Sequence, residues 1–162
     1  MTDEVYQVKN WLMRADELDQ QWKRTRNKVL LIQDRLNGGV TNYYSSGKKD
    51  LITAQSNHED LLMEYSMLRE QLDREIEQCL HEDNITLQVI DCMGSPFHRS
   101  ILIARYVCRM DWNTILKDPL VEVKKTQLLE HHKLALEELA LILKADKLEI
   151  VKDTSLRATA NK

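Results

Sequence analysis

The stretch KDPLVEVKKTQ, residues 117–127, decides how this chain is read. Both flanks carry apolar residues at helical spacing. Asp118-Pro119 must interrupt any helix, because proline lacks an N–H and restrains the residue before it. Downstream, Leu128, His132, Ala135, Leu139 and Ile142 form one stripe of a helix of about twenty residues. Upstream, Ser95-Pro96 is the usual N-cap and N1 pair of a helix start. That helix predicts Phe97, Ile101, Leu102, Ala104, Tyr106 and Val107 or Cys108 as its core contacts. Asp111 then caps a short helix, WNTILK. Residues 95–144 therefore order as medium helix, short helix, turn and long helix. That order fits a helix-turn-helix. It equally fits a bundle in which the bend only redirects the chain, and pattern alone leaves both open.

Toward the N-terminus, Val8, Trp11, Ala15, Leu18, Trp22, Thr25, Val29, Ile32 and Leu36 alternate steps of three and four, the seam of a coiled coil. Thr2 is the expected N-cap, and Asn37-Gly38-Gly39 the stop. A polar loop, NGGVTNYYSSGKKD, leads to a second ladder from Asp50: Leu51, Ala54, His58, Leu61, Tyr65, Leu68, Leu72, Ile76 and Cys79. Helical pattern runs on to Met93-Gly94, with a possible break at HEDN. Two such helices joined by about a dozen residues predict an antiparallel hairpin. His58 is expected to be partly buried. Trp11 and Trp22 are large for a two-helix seam, which favours assembly of several chains.

Four Gly and two Pro in 162 residues, with 30% charged, argue for an all-α chain. The net charge of −3 supplies no global cationic field. Residues 51–93 carry ten acidic and two basic residues, whereas residues 94–144 carry eight basic and six acidic. Cys79, Cys92 and Cys108 have neither zinc nor disulfide spacing and read as buried free thiols in a reducing compartment. No signal-peptide pattern or membrane-length apolar run occurs, so a soluble intracellular protein is expected. No phosphate loop, nucleophile motif or metal motif is present. His131 and His132 are adjacent, so they cannot share the i, i+4 face that a metal pair needs. The expectation is no enzyme, no cofactor and no metal, with His132 in the core and Glu137-Glu138 on a solvated face.

The segment PFHRSILIARYVCRMDWNTI resembles the opening of the sigma-factor region-four-like domain in the ArpU/RinA-type late transcriptional regulators of phages of Gram-positive bacteria. Arg105-Tyr106 ends the first helix, Trp112 opens the next with Ile115 three residues on, and Ala135-Leu136-Glu137-Glu138-Leu139 closes the pattern. Ser45-Ser46-Gly47 resembles the loop of the family's N-terminal hairpin. The resemblance implies an antiparallel coiled-coil hairpin over residues 1–93, for oligomerisation or partner binding. It implies a helix-turn-helix DNA-binding domain over 94–144 and a flexible tail over 145–162. It also implies an activator of late packaging or lysis genes in the bacterial host cytoplasm. Such a protein binds double-stranded promoter DNA, acts with host RNA polymerase, and forms a homodimer or higher homo-oligomer through the hairpin.

Placed on that pattern, Val123 is the buried residue before the recognition helix, and Lys124, Lys125, Thr126, Gln127, Glu130 and Lys133 face the groove. Geometry agrees, since 126, 127, 130 and 133 lie off the apolar stripe. Lysines at a helix start suit phosphate. Gln127 can read adenine bidentately, and Glu130 can accept from cytosine N4. Arg99 and Arg105 are further phosphate candidates, with a core role for Arg105 as an equal alternative. Glu122 is expected to help cap that helix. Pro119 in place of a turn glycine, and a balance of only +2, motivate a second reading: a coiled-coil protein-interaction regulator, anti-activator or adaptor, of the same fold that does not read DNA.

Overall fold

A computed structural model describes the backbone of residues 2–38 and 49–160 and the side chains of residues 2–38 and 57–145. Every regular element among them is a helix: α1 (Asp3–Met13), α2 (Asp16–Leu36), α3 (Lys49–Asp91), α4 (Pro96–Leu102), a π-helical turn (Ile103–Val107), α5 (Trp112–Leu116) and α6 (Lys125–Ala160). The Ser45-Ser46-Gly47 stretch and the side chains of Leu51 and Ala54 lie outside the described residues. Two compact units emerge, Met1–Arg14 with Glu82–Lys162, and Ala15–His81.

The heptad ladder predicts one helix from 3 to 36, but the chain breaks after Met13. Arg14 is the cause. Its Nη1 donates to Trp11 O (2.8 Å), while Nε and Nη2 donate to the carboxylate and carbonyl of Glu82 (2.7 and 3.0 Å). The guanidinium also sits 4.1 Å over the Trp11 ring. An open carbonyl at the end of α1 is thereby satisfied. Thr2 holds the N-cap position of α1, but its side chain makes no capping bond.

In the first unit, Val5, Val8 and Leu12 of α1 share a core with Ile90 of α3, Met93 just past its end, Leu102, Tyr106, and Ala135, Leu136, Leu139 and Ala140 of α6. α1 thus buries Val5, Val8 and Leu12 against the C-terminal helices, with Trp11 of the predicted seam half-buried. A smaller core gathers Ile101, Ile115 and Leu128, flanked by Phe97, Met110, Trp112, Leu116, Val121 and Val123.

In the second unit, Ala15, Thr25, Val29, Ile32, Leu72 and Cys79 are buried, and Gln21 Nε2 donates to Glu75 Oε1 (3.2 Å). The α2 ladder reads as expected, each rung buried or half-buried. Gly38 has φ 84°, a left-handed residue that ends α2 as the Asn-Gly signal implies. His58 is exposed rather than partly buried, since the 21 residues of α2 are too few to cover all 43 of α3. No break occurs at HEDN; α3 is continuous through it. Only Cys79 is a buried thiol, and Cys92 and Cys108 are exposed. Beyond residue 144, α6 remains helical to Ala160, where no glycine or proline stops it.

Candidate nucleic-acid interface

Three short segments set the start of α6. Ser95 Oγ accepts from His98 N (3.3 Å) to begin α4 on Pro96. The helix widens into the π turn, where Cys108 N donates to Ile103 O (2.9 Å), and Arg109 turns the chain at φ 55°. Its guanidinium is held by Asp83, at 3.0 and 3.2 Å. Asp111 then caps α5 by accepting from the Thr114 hydroxyl and from Thr114 N (3.1 Å), and those bonds, the hydroxyl's first, hold its carboxyl below the usual range.

Residues 117–124 resolve the opening stretch. Val121 N donates to Asp118 O (2.9 Å) across a turn with Pro119 in its second position, and Asp118 Oδ1 accepts from Leu120 N (2.9 Å). Proline supplies the φ such a turn needs, so it serves here without glycine. Val121 and Val123 tuck into the smaller core, while Leu120 stands 87% exposed.

Lys124, Lys125, Thr126, Gln127, Glu130 and Lys133 are all exposed, and Leu128, His132 and Ala135 beneath them are buried. Lys124 is a poor cap, and the remedy is Gln127, not Glu122. The Gln127 Oε1 accepts from Lys124 N (3.1 Å), which is one half of a capping box. The Oε1 keeps a second lone pair and the exposed amide both of its N–H donors.

Both arginines bond within the chain. Arg99 Nη1 donates to Met93 O (2.8 Å), and Arg105 Nη1 to Met110 O (3.0 Å), with its guanidinium 5.3 Å over Trp112. Lys124, Lys125 and Lys133 are the exposed lysines of this edge.

A polar network that sequence reasoning missed lies directly behind the edge. Glu138 is not a solvated-face residue: its Oε1 accepts from Gly94 N (2.8 Å), and its Oε2 bonds His98 Nδ1 (3.0 Å). The His98 bond, with help from Gly94, lowers its carboxyl from the ordinary value. His98 Nε2 lies 3.4 Å from His131 Nδ1, and Phe97 meets the His131 ring edge-on at 5.0 Å. His132, in the core as expected, lies 2.9 Å through Nε2 from the Tyr106 hydroxyl and 4.8 Å from the Trp112 ring. Burial, then the charges of Lys9 and Arg105, push it down to about 4. The available signal was spacing, since His131 and Glu138 are seven apart and so share one line on α6.

Among the described residues no three His, Cys, Asp or Glu gather as a metal site, and no helix is long and apolar enough to cross a membrane. Set against known proteins, the chain matches no family profile, no curated protein and no solved structure.

Proposed function

We propose that this chain is a DNA-binding transcription regulator of the kind found among ArpU/RinA-type phage late regulators, reading promoter DNA with the start of α6 and acting with host RNA polymerase. The observation that carries the reading is the leading edge of α6. Three lysines, Thr126, Gln127 and Glu130 are exposed on it, above a stripe that is buried against α4 and α5. In this reading α5, the Pro119 turn and α6 form the helix-turn-helix, and α2 with α3 forms an antiparallel hairpin.

The contact between Gln21 and Glu75 supports the hairpin. Parallel helices meeting there would set residues 36 and 49 about 60 Å apart, beyond the roughly 45 Å that the intervening dozen residues span. A homodimer doubles the phosphate contacts available to one edge. Each indole carries a guanidinium over its ring, Arg14 on Trp11 and Arg26 on Trp22.

Selection of binding sites from a random duplex pool tests the reading. The full chain is expected to enrich one motif, and Gln127→Ala to relax it at one base position. An unenriched pool contradicts it.

One observation favours the adaptor reading. Met63 and Met67 stand 69% and 67% exposed on one line of α3, among Glu59, Asp60, Glu64 and Glu70. Adaptable methionines inside an acidic rim suit a basic partner helix. If that surface carries the function, Met67→Lys abolishes regulation and Lys125→Ala leaves it intact.

A further inference from the structure

His131 and His132 reach into different elements. Adjacent helical residues point about 100° apart, and here one ring meets Phe97 and His98 of α4, while the other meets Tyr106 of the π turn and Trp112 of α5. Apolar contacts at Leu128, Ala135 and Leu139 hold α6 down but impose little direction on it. Hydrogen bonds are directional. Two of them, on neighbouring residues and toward different elements, fix both the position of α6 and its rotation about its own axis. Leucine at 132 would fill the stripe without burying a ring nitrogen, so packing alone does not account for the histidine.

We infer that His131 and His132 are the positioning residues of the reading edge, and that uptake of a proton by His132 releases that edge from α5 and the π turn. The proposal rests on the DNA-binding reading for the purpose of the edge, but not for the release itself. The groups that face His132 decide the direction of the effect. Arg105 of the π turn and Lys9 of α1 are cationic, and Tyr106 can turn its hydroxyl to accept but brings no negative charge. An imidazolium there meets like charge out of water. The compensating carboxylate, Glu138, faces His98 on the His131 side. Protonation is therefore accommodated by opening toward solvent.

The test is a pH titration of the isotope-labelled full chain by NMR, from neutral pH to well below the His132 value of about 4, with DNA affinity measured over the same range. Three sets of signals are followed: the His132 ring, the Trp112 indole N–H, and the amides of Lys125 to Leu129. All three are expected to move with one midpoint while helix content holds. In His132→Leu the indole and amide changes disappear, and should that variant not fold, His132→Gln is expected to lose them equally. In His131→Ala the Leu128 and Leu129 amides, the first in α6 with helical acceptors, exchange with solvent roughly tenfold faster at neutral pH, a loss of about 1.4 kcal/mol of local protection.

Amides of Lys125 to Leu129 that stay fixed while the His132 ring titrates overturn the proposal and leave His132 a packed core residue. If the signals move together but no duplex is bound at any pH, the positioning role stands and the DNA-binding reading fails. If DNA is bound with an affinity that follows the midpoint in the native chain and not in His132→Leu, both stand.

Discussion

His132 stands where the apolar stripe of α6 has room for leucine, and its consequence for stability follows from the sign of its shift. Its folded value is pushed down to about 4 from 6.5. Between those values the unfolded chain binds the proton and the folded one does not. Its contribution is therefore fully present above pH 6.5 and is lost as pH falls through about 4, a change on the order of 3 kcal/mol. His132→Leu should flatten the pH dependence of the urea midpoint across that window, and an unchanged dependence would show that another group governs it. Glu138 acts at a lower range. Its carboxyl is held below 4.5, so what it contributes is present above that value and fades below it. Glu138→Ala leaves Gly94 N–H and His98 Nδ1 without their acceptor, and is expected to cost about 1–2 kcal/mol at neutral pH by thermal or urea unfolding.

At the scale of elements, two substitutions separate capping from packing. Ser95→Ala removes the side-chain cap of α4 and should lower stability by about 1 kcal/mol. Glu75→Leu should go the other way. The Glu75 side chain is buried in the second unit, and its Oε2 finds no hydrogen-bond donor among the described residues. An apolar side chain of similar volume is expected to match or raise the melting temperature, whereas a fall of several degrees would mean that the carboxylate has a partner essential to the unit.

Local signals carried much of the secondary structure. Ser95-Pro96, Asp111 and Asn37-Gly38 mark helix ends where the chain has them, because a cap is a contact between near neighbours. The period-3.5 ladder located the buried line of α2 for the same reason. It could not reveal that α1 separates at Arg14, because the acceptor that ends α1 is Glu82, far along the chain. Nor did it name Val5 and Leu12, which lie off the ladder and bury with Val8 against α6, because the partner that selects the covered face is distant in sequence. At the candidate site, the exposure of residues 124–127, 130 and 133 was legible from helical phase. The Gln127 cap and the bonds of Glu138, His98 and His131 were not, since polar side chains choose partners only once the backbone brings them together.

For the whole molecule, the balance of charge sets what binding can look like. The chain is net −3, and ten acidic residues lie between 51 and 93. In the proposed reading, affinity for DNA therefore comes from a small edge rather than from the field of the protein. With Lys124, Lys125 and Lys133 as the phosphate contacts, each protomer should release few counterions. The logarithm of the affinity should then fall against the logarithm of salt with a slope of about −3 per edge, near 0.9 per phosphate neutralised. A dimer that places two edges on one duplex doubles that slope.

Fluorescence anisotropy with duplex DNA from upstream of phage packaging or lysis genes, titrated over a range of salt, measures this directly. The account predicts tighter binding to that DNA than to random duplex, a shallow slope of that size, and a slope about 2 smaller in the Lys124→Ala, Lys125→Ala double variant. Equal affinity for promoter and random duplex, with a slope the double variant leaves unchanged, would contradict the claim that the start of α6 reads DNA.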